Sequence, residues 1–235
     1  MDHVAPASGR IERFSAASRL VHWLLATPFL VLLISGLLLF QPEAKAVHVG
    51  GHRLVALVHV VAGIAFIGAI ALAAVVVIAR RAARSDATAS MRFGAPDVHW
   101  ARWAATNLSG GRGVAPPQSK FNLGQKLNSY VSAVLSLGLA TTGAVLGVNY
   151  FTKEAFDAEF VESVFPWHDA FTFIALPLVV GHLYLAVVHR DSRPSLSGIV
   201  RGHVDRDWAR RHHALWAEAE EGRREPSHLD AAKRS

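Results

Sequence analysis

Four histidines in apolar surroundings are the residues of this sequence best placed to do chemistry. His22, His59, His168 and His182 stand at the ends of apolar segments that are long enough to form helices. An ionisable side chain inside a membrane segment is costly unless it has a partner. Two facing imidazole rings can hold the iron of one haem from both sides. The four histidines are therefore predicted to be axial ligands of haem iron.

The composition places these histidines in a membrane protein. Of the 235 residues, 51% are hydrophobic and only 18% are charged. The apolar residues form four long runs, each near the roughly 20 residues that a helix needs to cross about 30 Å of hydrocarbon. We therefore expect an all-α membrane protein, a bundle of four transmembrane helices in a single domain over residues 1–235. The predicted spans cover residues 20–40, 54–78, 127–148 and 168–188.

The absence of cysteine narrows the redox chemistry that this sequence can support. With no cysteine, the chain can form no disulfide, ligate no iron–sulfur cluster and make no thioether bond to haem. A redox centre in this chain has to be noncovalent and held by histidine.

The first apolar run is too long for the hydrophobic core of a signal peptide, so we expect it to be retained as a membrane span.

The basic residues are distributed as in a membrane protein rather than as in a nucleic-acid-binding protein. The net charge is +6, and Lys and Arg concentrate before the first span, between the second and third spans, and after the fourth. Lys and Arg favour the cytoplasmic side. We expect a bacterial inner-membrane protein with both termini, the second connection and the C-terminal tail in the cytoplasm. The third connection is acidic, with Glu154, Asp157, Glu159 and Glu162 beside Lys153.

This topology puts the histidines at two depths. The first span rises from the cytoplasm and places His22 near that side, whereas the second descends from the periplasm and places His59 near the opposite side. The fourth span also descends from His168. His182 follows fourteen residues later, which is about 21 Å deeper and close to the same helix face. The predicted pairs are His59 with His168 on the periplasmic side and His22 with His182 on the cytoplasmic side.

Other interpretations remain open for these positions. A single histidine at a membrane interface is more often a hydrogen-bonded surface group than a ligand. His189 competes with His182, because it lies seven residues further along the same face. Its position beside Arg190 favours an interfacial role, and pairing it would lengthen the rise from His168 to about 31 Å.

Three glycines in the spans could let a flat macrocycle approach a helix backbone. Gly36 follows His22 by fourteen residues, Gly63 follows His59 by one turn, and Gly143 lies in the third span. Glycine lacks a Cβ and leaves such room. Helix–helix contact alone is an equally good explanation in a membrane protein.

The polar segments carry weaker signals. Residues 82–119 contain several Gly and Pro residues and are interpreted as a loop. Trp100 and Trp103 in this connection would suit the membrane interface or packing on the protein's own surface. The tail from Ser195 onward is polar and is expected to be partly helical. It could also contact a partner subunit.

A set of motifs in a fixed order identifies a family resemblance. The first span opens with Arg13-Phe14 and Arg19-Leu-Val-His22-Trp23, the third with Lys120-Phe-Asn122-Leu-Gly124-Gln125-Lys126, and the fourth contains His168 and Gly181-His182-Leu-Tyr184. The tail adds Val204-Asp-Arg-Asp-Trp208-Ala-Arg-Arg-His212-His213. Over nearly its whole length the chain resembles the membrane cytochrome b (gamma) subunit of respiratory formate dehydrogenase.

The resemblance implies a four-helix protein with two b haems that reduces quinone. It implies the same four histidine ligands, an iron–sulfur (beta) subunit on the periplasmic side as electron donor, and a catalytic molybdenum or tungsten (alpha) subunit that oxidises formate. Membrane lipid is a further partner, and nucleic acid is not. The chain itself then holds no formate-oxidising site and no catalytic residue, and acts as the quinone-reducing subunit of the complex.

The resemblance also implies a quinone site beside the cytoplasmic haem, with Asn122, Gly124 and His182 around it. An amide can supply the hydrogen bonds that a quinone oxygen needs. Asn122 could equally be the N-cap of the third span, with Gln125 completing a capping box. Arg13 and Arg19 are candidates to pair with haem propionates, although their position on the cytoplasmic side explains them about as well.

Two alternatives to this function remain. The chain could be the cytochrome b subunit of another periplasmic oxidoreductase, such as a nickel–iron hydrogenase or a thiosulfate reductase. It could also be a membrane anchor that binds no haem. The motifs at the cytoplasmic ends of the spans favour formate dehydrogenase.

Overall fold

A computed structural model describes residues 9–49, 51–110, 113–152 and 155–224. Lys153 and Glu154 of the acidic connection lie outside these residues. Short antiparallel strands pair β1 (Arg10–Glu12) with β4 (His203–Asp205) and β2 (His48–Val49) with β3 (His52–Arg53). The helices are α1 (Ala16–Leu38), α2 (Pro42–Ala46), α3 (Leu54–Ala79), α4 (Arg81–Met91), α5 (Ala95–Leu108), α6 (Leu123–Thr152), α7 (Ala158–Leu183), α8 (Leu196–Arg201), α9 (Arg206–His212) and α10 (Ala214–Arg224). A π-helical turn, Tyr184–Val188, continues α7, and a 3-10 turn, Arg193–Ser195, precedes α8.

In the part of the chain that the structure describes, four helices are long and apolar enough to cross a membrane. They are α1, α3, α6 and α7 with its π-helical turn. The four predicted apolar spans are therefore confirmed as helices. Pro28 in α1 and Pro177 in α7 each remove one backbone donor, which membrane helices tolerate where neighbouring groups satisfy the freed carbonyl.

The fourth helix begins ten residues before its predicted start. Asp157 is its N-cap, and Asp157 Oδ1 accepts a hydrogen bond from Phe160 N at 2.8 Å. Such a cap satisfies one of the free N–H groups at a helix start, so the helix extends beyond the apolar run through a polar first turn. His168 consequently lies inside α7, and its predicted place at the end of a helix was wrong.

The third helix likewise begins before its apolar run, at a reciprocal cap. Gln125 N donates to Asn122 Oδ1 at 2.9 Å, and Asn122 N donates to Gln125 Oε1 at 3.1 Å. These two bonds form the capping box. The structural role considered for Asn122 is therefore confirmed, and α6 starts at Leu123 rather than near residue 127.

The chain forms two compact units, and the single domain over residues 1–235 stays a prediction. A bundle unit comprises residues 17–84 and 131–184, and a polar unit comprises residues 1–16, 85–130 and 185–235. The separation follows composition, since the apolar helices pack with one another and the charged segments form contacts of their own.

The bundle unit consists of α1, α3, α7 and most of α6. Each helix contacts two neighbours, in the order α1, α3, α6, α7 and back to α1. The contacts are Phe29 with Phe66 at 5.6 Å between ring centroids, Val60 with Gly147, Gly138 with Phe171, and Phe40, just after α1, with Phe173 at 5.5 Å between centroids. This order brings α7 next to both α1 and α6.

The tightest of these contacts predicts a destabilising substitution. A Cβ added at Gly138 would lie 2.8 Å from Phe171 Cε2, so either the Phe171 ring would have to shift or α6 and α7 would have to move apart. We expect Gly138→Ala to cost about 1–3 kcal/mol of stability and to lower the thermal unfolding temperature in detergent. Gly68→Ala is the matched control, because its Cβ meets nothing within 4 Å and alanine is the better helix former. Equal unfolding temperatures for the two variants would contradict the close contact.

The polar unit is built around the pairing of the N-terminal strand β1 with β4 in the tail. Its buried apolar residues include Ile11, Val204, Trp208 and Trp216. Asp205 caps α9 by accepting a bond from Trp208 N at 2.9 Å. The tail is partly helical, as predicted, through α8, α9 and α10.

The connection over residues 82–119 differs from its predicted form as a loop. It contains α5 and most of α4, while residues 113–119 form no helix or strand. Trp103 Nε1 donates to Gly113 O at 2.7 Å, and the Trp100 and Trp103 rings contact each other. These bonds fit packing on the protein's own surface, and the membrane-interface role stays a prediction.

A buried Arg–His contact lies in the polar unit. Arg13 Nη2 lies 3.0 Å from His213 Nε2 and donates to Lys120 O at 3.0 Å. His213 Nδ1 lies 2.7 Å from Ser119 O, so the ring donates from Nδ1 and accepts from Arg13 at Nε2. Burial, and then the charge of Arg13, lower the pKa of His213 to about 3. Burial lowers the pKa of Arg13 to about 9, which leaves it charged at neutral pH.

This contact predicts that the polar unit loses stability in acid. Unfolded His213 takes up a proton below its ordinary pKa of 6.5, whereas the folded ring stays neutral until about pH 3. The contribution of the neutral His213 ring to the free energy of unfolding is therefore complete above pH 6.5 and is lost as the pH falls from there toward 3. Acidification to about pH 5 is expected to cost about 2 kcal/mol, measured by thermal unfolding followed through tryptophan fluorescence. His213→Gln, which cannot titrate, is expected to flatten this pH dependence; an unchanged slope would contradict the assignment.

Candidate functional site

The four histidines form two ring pairs inside the bundle unit. The rings of His22 on α1 and His182 on α7 have centroids 6.3 Å apart, at an interplanar angle of 53°. The rings of His59 on α3 and His168 on α7 have centroids 6.2 Å apart, at 86°. These are the two pairs that topology predicts from the sequence.

The two pairs lie at different levels of the bundle. His168 and His182 belong to the same helix and are fourteen residues apart, which corresponds to about 21 Å along its axis. One helix thus supplies a ring to each pair, while α1 and α3 supply the other rings. The site is therefore two centres separated along the bundle axis.

The ring separations fit a metal atom between the two rings. An imidazole nitrogen binds a metal at about 2.0–2.1 Å, so two rings that ligate one metal from opposite sides have centroids roughly 6 Å apart. Among the residues that the structure describes, no cluster of three or more His, Cys, Asp or Glu could hold a bare metal ion. Two trans imidazoles suit iron whose other ligands come from a porphyrin. The donor set therefore fits haem.

Two of the three glycines noted in the sequence make room for these rings. A Cβ at Gly36 would lie 3.2 Å from His59 Cε1, and one at Gly143 would lie 3.3 Å from His168 Cε1. A Cβ at Gly63 would lie 3.9 Å from Leu32 Cδ2, which is ordinary helix packing. Gly36 and Gly143 thus leave room for the imidazole rings of His59 and His168.

Hydroxyl groups at this level are functional candidates that the sequence reasoning missed. Ser35 Oγ lies 2.9 Å from His59 Nδ1, and Thr142 Oγ1 lies 2.7 Å from His168 Nδ1. Each hydroxyl immediately precedes one of the two glycines near the rings. That repeated pairing of a hydroxyl residue with glycine is the signal by which the sequence could have revealed them.

The competitor His189 lies beyond α7 and its π-helical turn. His189 Nδ1 lies 3.1 Å from Ser192 Oγ, which donates to Leu185 O at 2.6 Å. These contacts hold the ring in the polar unit. The histidine that faces His22 is His182.

The predicted quinone and propionate residues are divided between the units. Asn122, Gly124 and Arg13 belong to the polar unit, whereas His182 and Arg19 belong to the bundle unit. Asn122 Oδ1 is used by the helix cap, so a bond to a quinone oxygen would come from its Nδ2 group. These roles stay predictions.

The order and spacing of these features coincide with a known family. A family model described as prokaryotic cytochrome b561 matches residues 13–202, a stretch that includes all four histidines. The chain belongs to the prokaryotic cytochrome b561 family. Membership in this family implies b-type haem, and the four apolar helices agree with a multi-pass membrane protein of electron transport.

Individual relatives of this cytochrome b561-family chain carry more specific names. It is 24% identical over 209 residues to the formate dehydrogenase cytochrome b556 subunit of Haemophilus influenzae, covering 88% of this chain and 82% of that protein. It is 22% identical over 211 residues to the formate dehydrogenase cytochrome b556(fdo) subunit of Escherichia coli K12, covering 88% and 91%. The nitrate-inducible cytochrome b556(Fdn) subunit of the same organism is 27% identical over 120 residues, covering 51% and 54%.

Proposed function

We propose that this chain is the membrane cytochrome b subunit of a formate dehydrogenase and carries electrons across the bacterial inner membrane to quinone. An iron–sulfur subunit on the periplasmic side delivers the electrons, and a molybdenum or tungsten subunit oxidises formate. Quinone is reduced near the cytoplasmic side. The names of the relatives support the formate dehydrogenase assignment.

The proposal depends on one observation. Two pairs of facing imidazole rings lie at two levels of one helical bundle. His59 with His168 would hold the periplasmic-side haem, and His22 with His182 the cytoplasmic-side haem. Bound haem supplies a one-electron iron couple at each level. The helices hold the rings at a fixed separation in a low-dielectric medium. Arg19, three residues before His22, shares a helix face with it and would be the partner of a propionate.

The charge pattern supports the direction of transfer. Lys and Arg concentrate before the first span, between the second and third spans, and after the fourth, which supports a cytoplasmic location for the His22–His182 level. Reduction of quinone needs protons as well as electrons, and a site on this side takes them from the cytoplasm. Each electron that moves inward then contributes to the membrane potential.

Purification of the native complex tests the proposal. We expect the chain to co-purify with a molybdenum- or tungsten-containing subunit and an iron–sulfur subunit, to contain b-type haem, and to support quinone reduction that depends on formate. Co-purification with a nickel–iron enzyme or a thiosulfate reductase would overturn the formate assignment and leave the haem assignment intact. A colourless chain would overturn both and favour a haem-free anchor.

A further inference from the structure

The hydroxyl contacts at the His59–His168 level come from helices other than those that carry the rings. Ser35 on α1 reaches His59 on α3, and Thr142 on α6 reaches His168 on α7. Each of the four helices of the bundle unit therefore contributes one partner to these two hydrogen bonds. The two contacts are equivalent, one for each ring of the pair.

The direction of these hydrogen bonds follows from the helix backbone. Ser35 Oγ donates to Val31 O at 2.7 Å, and Thr142 Oγ1 donates to Gly138 O at 2.7 Å. A hydroxyl carries a single proton, and each proton is used in a bond to the preceding turn. The imidazole Nδ1–H must then be the donor to each hydroxyl oxygen. This tautomer leaves Nε2 unprotonated, which is the state that ligates a metal.

The residue after each hydroxyl is a glycine that leaves room for the same imidazole ring. Gly36 follows Ser35 and Gly143 follows Thr142, and a Cβ at either glycine would approach the Cε1 of the same ring to 3.2 or 3.3 Å. The hydroxyl thus holds one nitrogen while the glycine lets the ring lie against the helix. Both features restrict rotation of the imidazole plane.

We propose that Ser35 and Thr142 are positioning residues that select the ligating tautomer of His59 and His168 and hold the two ring planes nearly perpendicular. The inference rests on the proposed function, because it assigns the residues a role toward a haem at this level. Outer hydrogen-bond partners of metal-ligating histidines commonly orient the ring and raise its basicity.

The orientation has a spectroscopic consequence. Two axial imidazoles with perpendicular planes interact with different π orbitals of iron, so these orbitals are nearly equal in energy and the g values of the oxidised centre are strongly anisotropic. The rings of His59 and His168 lie at 86°, whereas those of His22 and His182 lie at 53°. We expect the first pair to give the larger maximum g value, so the two centres are distinguishable in one sample.

The test compares variants of the full complex by electron paramagnetic resonance, redox titration and haem transfer to a soluble scavenger. In the Ser35→Ala/Thr142→Val variant, we expect the larger maximum g value to fall and the midpoint potential of that centre to rise, because its ligands lose basicity. Haem release from that centre is expected to be about 10- to 100-fold faster. The other centre serves as an internal standard of correct folding.

Conservative and matched variants complete the design. Ser35→Thr and Thr142→Ser retain the hydroxyl and are expected to restore the spectrum. Thr141→Val removes a neighbouring hydroxyl that donates to Leu137 O in the same manner and lies on the exposed side of α6. It should leave both signals unchanged.

Three outcomes decide the matter. Unchanged g values and haem release in the double variant would overturn the positioning role, as would an equal shift in Thr141→Val. If the wild-type complex contains two haems and either of these results is obtained, only the inference about Ser35 and Thr142 is refuted. A wild-type chain without haem would overturn the proposed function together with it.

Discussion

Replacement of His168 by alanine is expected to remove one of two haems and to reduce formate-dependent quinone reduction to background. His168 faces His59 at 6.2 Å between ring centroids, and haem held without a covalent bond depends on both axial ligands. On the proposed function, the level that receives the electrons would then be lost, and the remaining level would lie about 21 Å further along the bundle. Formate oxidation with a soluble dye should persist, because the proposal assigns that reaction to another subunit.

The matched control for this prediction is His189→Ala. His189 is the competing ligand in the sequence, but its ring lies against Ser192. We expect this variant to keep two haems and most of its quinone reduction. Haem per chain, measured as pyridine haemochrome, and the low-temperature reduced spectrum distinguish the cases. Retention of both haems in His168→Ala, or loss of the haem assigned to His22 and His182, would contradict the pairing.

Replacement of Arg13 by leucine is expected to destabilise the polar unit by about 3 kcal/mol or more. The Arg13 side chain is 2% exposed, donates to Lys120 O, and contacts His213 Nε2. Hydrogen bonds to charged groups contribute about 1.5–3 kcal/mol each. The guanidinium carbon also lies 5.1 Å from the Trp208 ring centroid and 5.7 Å from that of Trp216, so cation–π attraction is lost as well.

Arg10→Leu is the control for removal of a positive charge from the same strand region. Its side chain is exposed on β1, so we expect a change within about 0.5 kcal/mol. Thermal unfolding is followed by tryptophan fluorescence, to which Trp208 and Trp216 contribute two of the six tryptophans of the chain. A similar small effect for both variants would show that the buried contacts of Arg13 contribute little.

The pairing of the histidines could be predicted because the position of a residue along a membrane-spanning helix gives its depth in the membrane. The apolar runs predict the helices, the distribution of Lys and Arg predicts their direction, and residues of one centre must share a depth. His168 and His182 then partition between the two levels by helical rise alone. No side-chain detail is needed for this step, which is why the sequence sufficed.

The features that the sequence did not reveal depend on contacts outside the apolar pattern. The extension of α7 to Ala158 depends on the Asp157 cap, which hydrophobicity does not mark. The β1–β4 pair joins segments nearly two hundred residues apart. Arg13 is buried against two tail tryptophans, a contact that depends on the pairing of β1 with the tail and that the sequence did not reveal. Hydroxyl contacts such as that of Ser35 need the relative rotation of two helices.

The central claim is that two imidazole pairs each ligate one haem in this chain. The most direct measurement is the haem content of the purified wild-type complex together with near-infrared magnetic circular dichroism of its oxidised form. We predict two b haems per chain, both low-spin with two imidazole ligands. A single haem per chain, or a charge-transfer band that belongs to another ligand pair, would contradict the account.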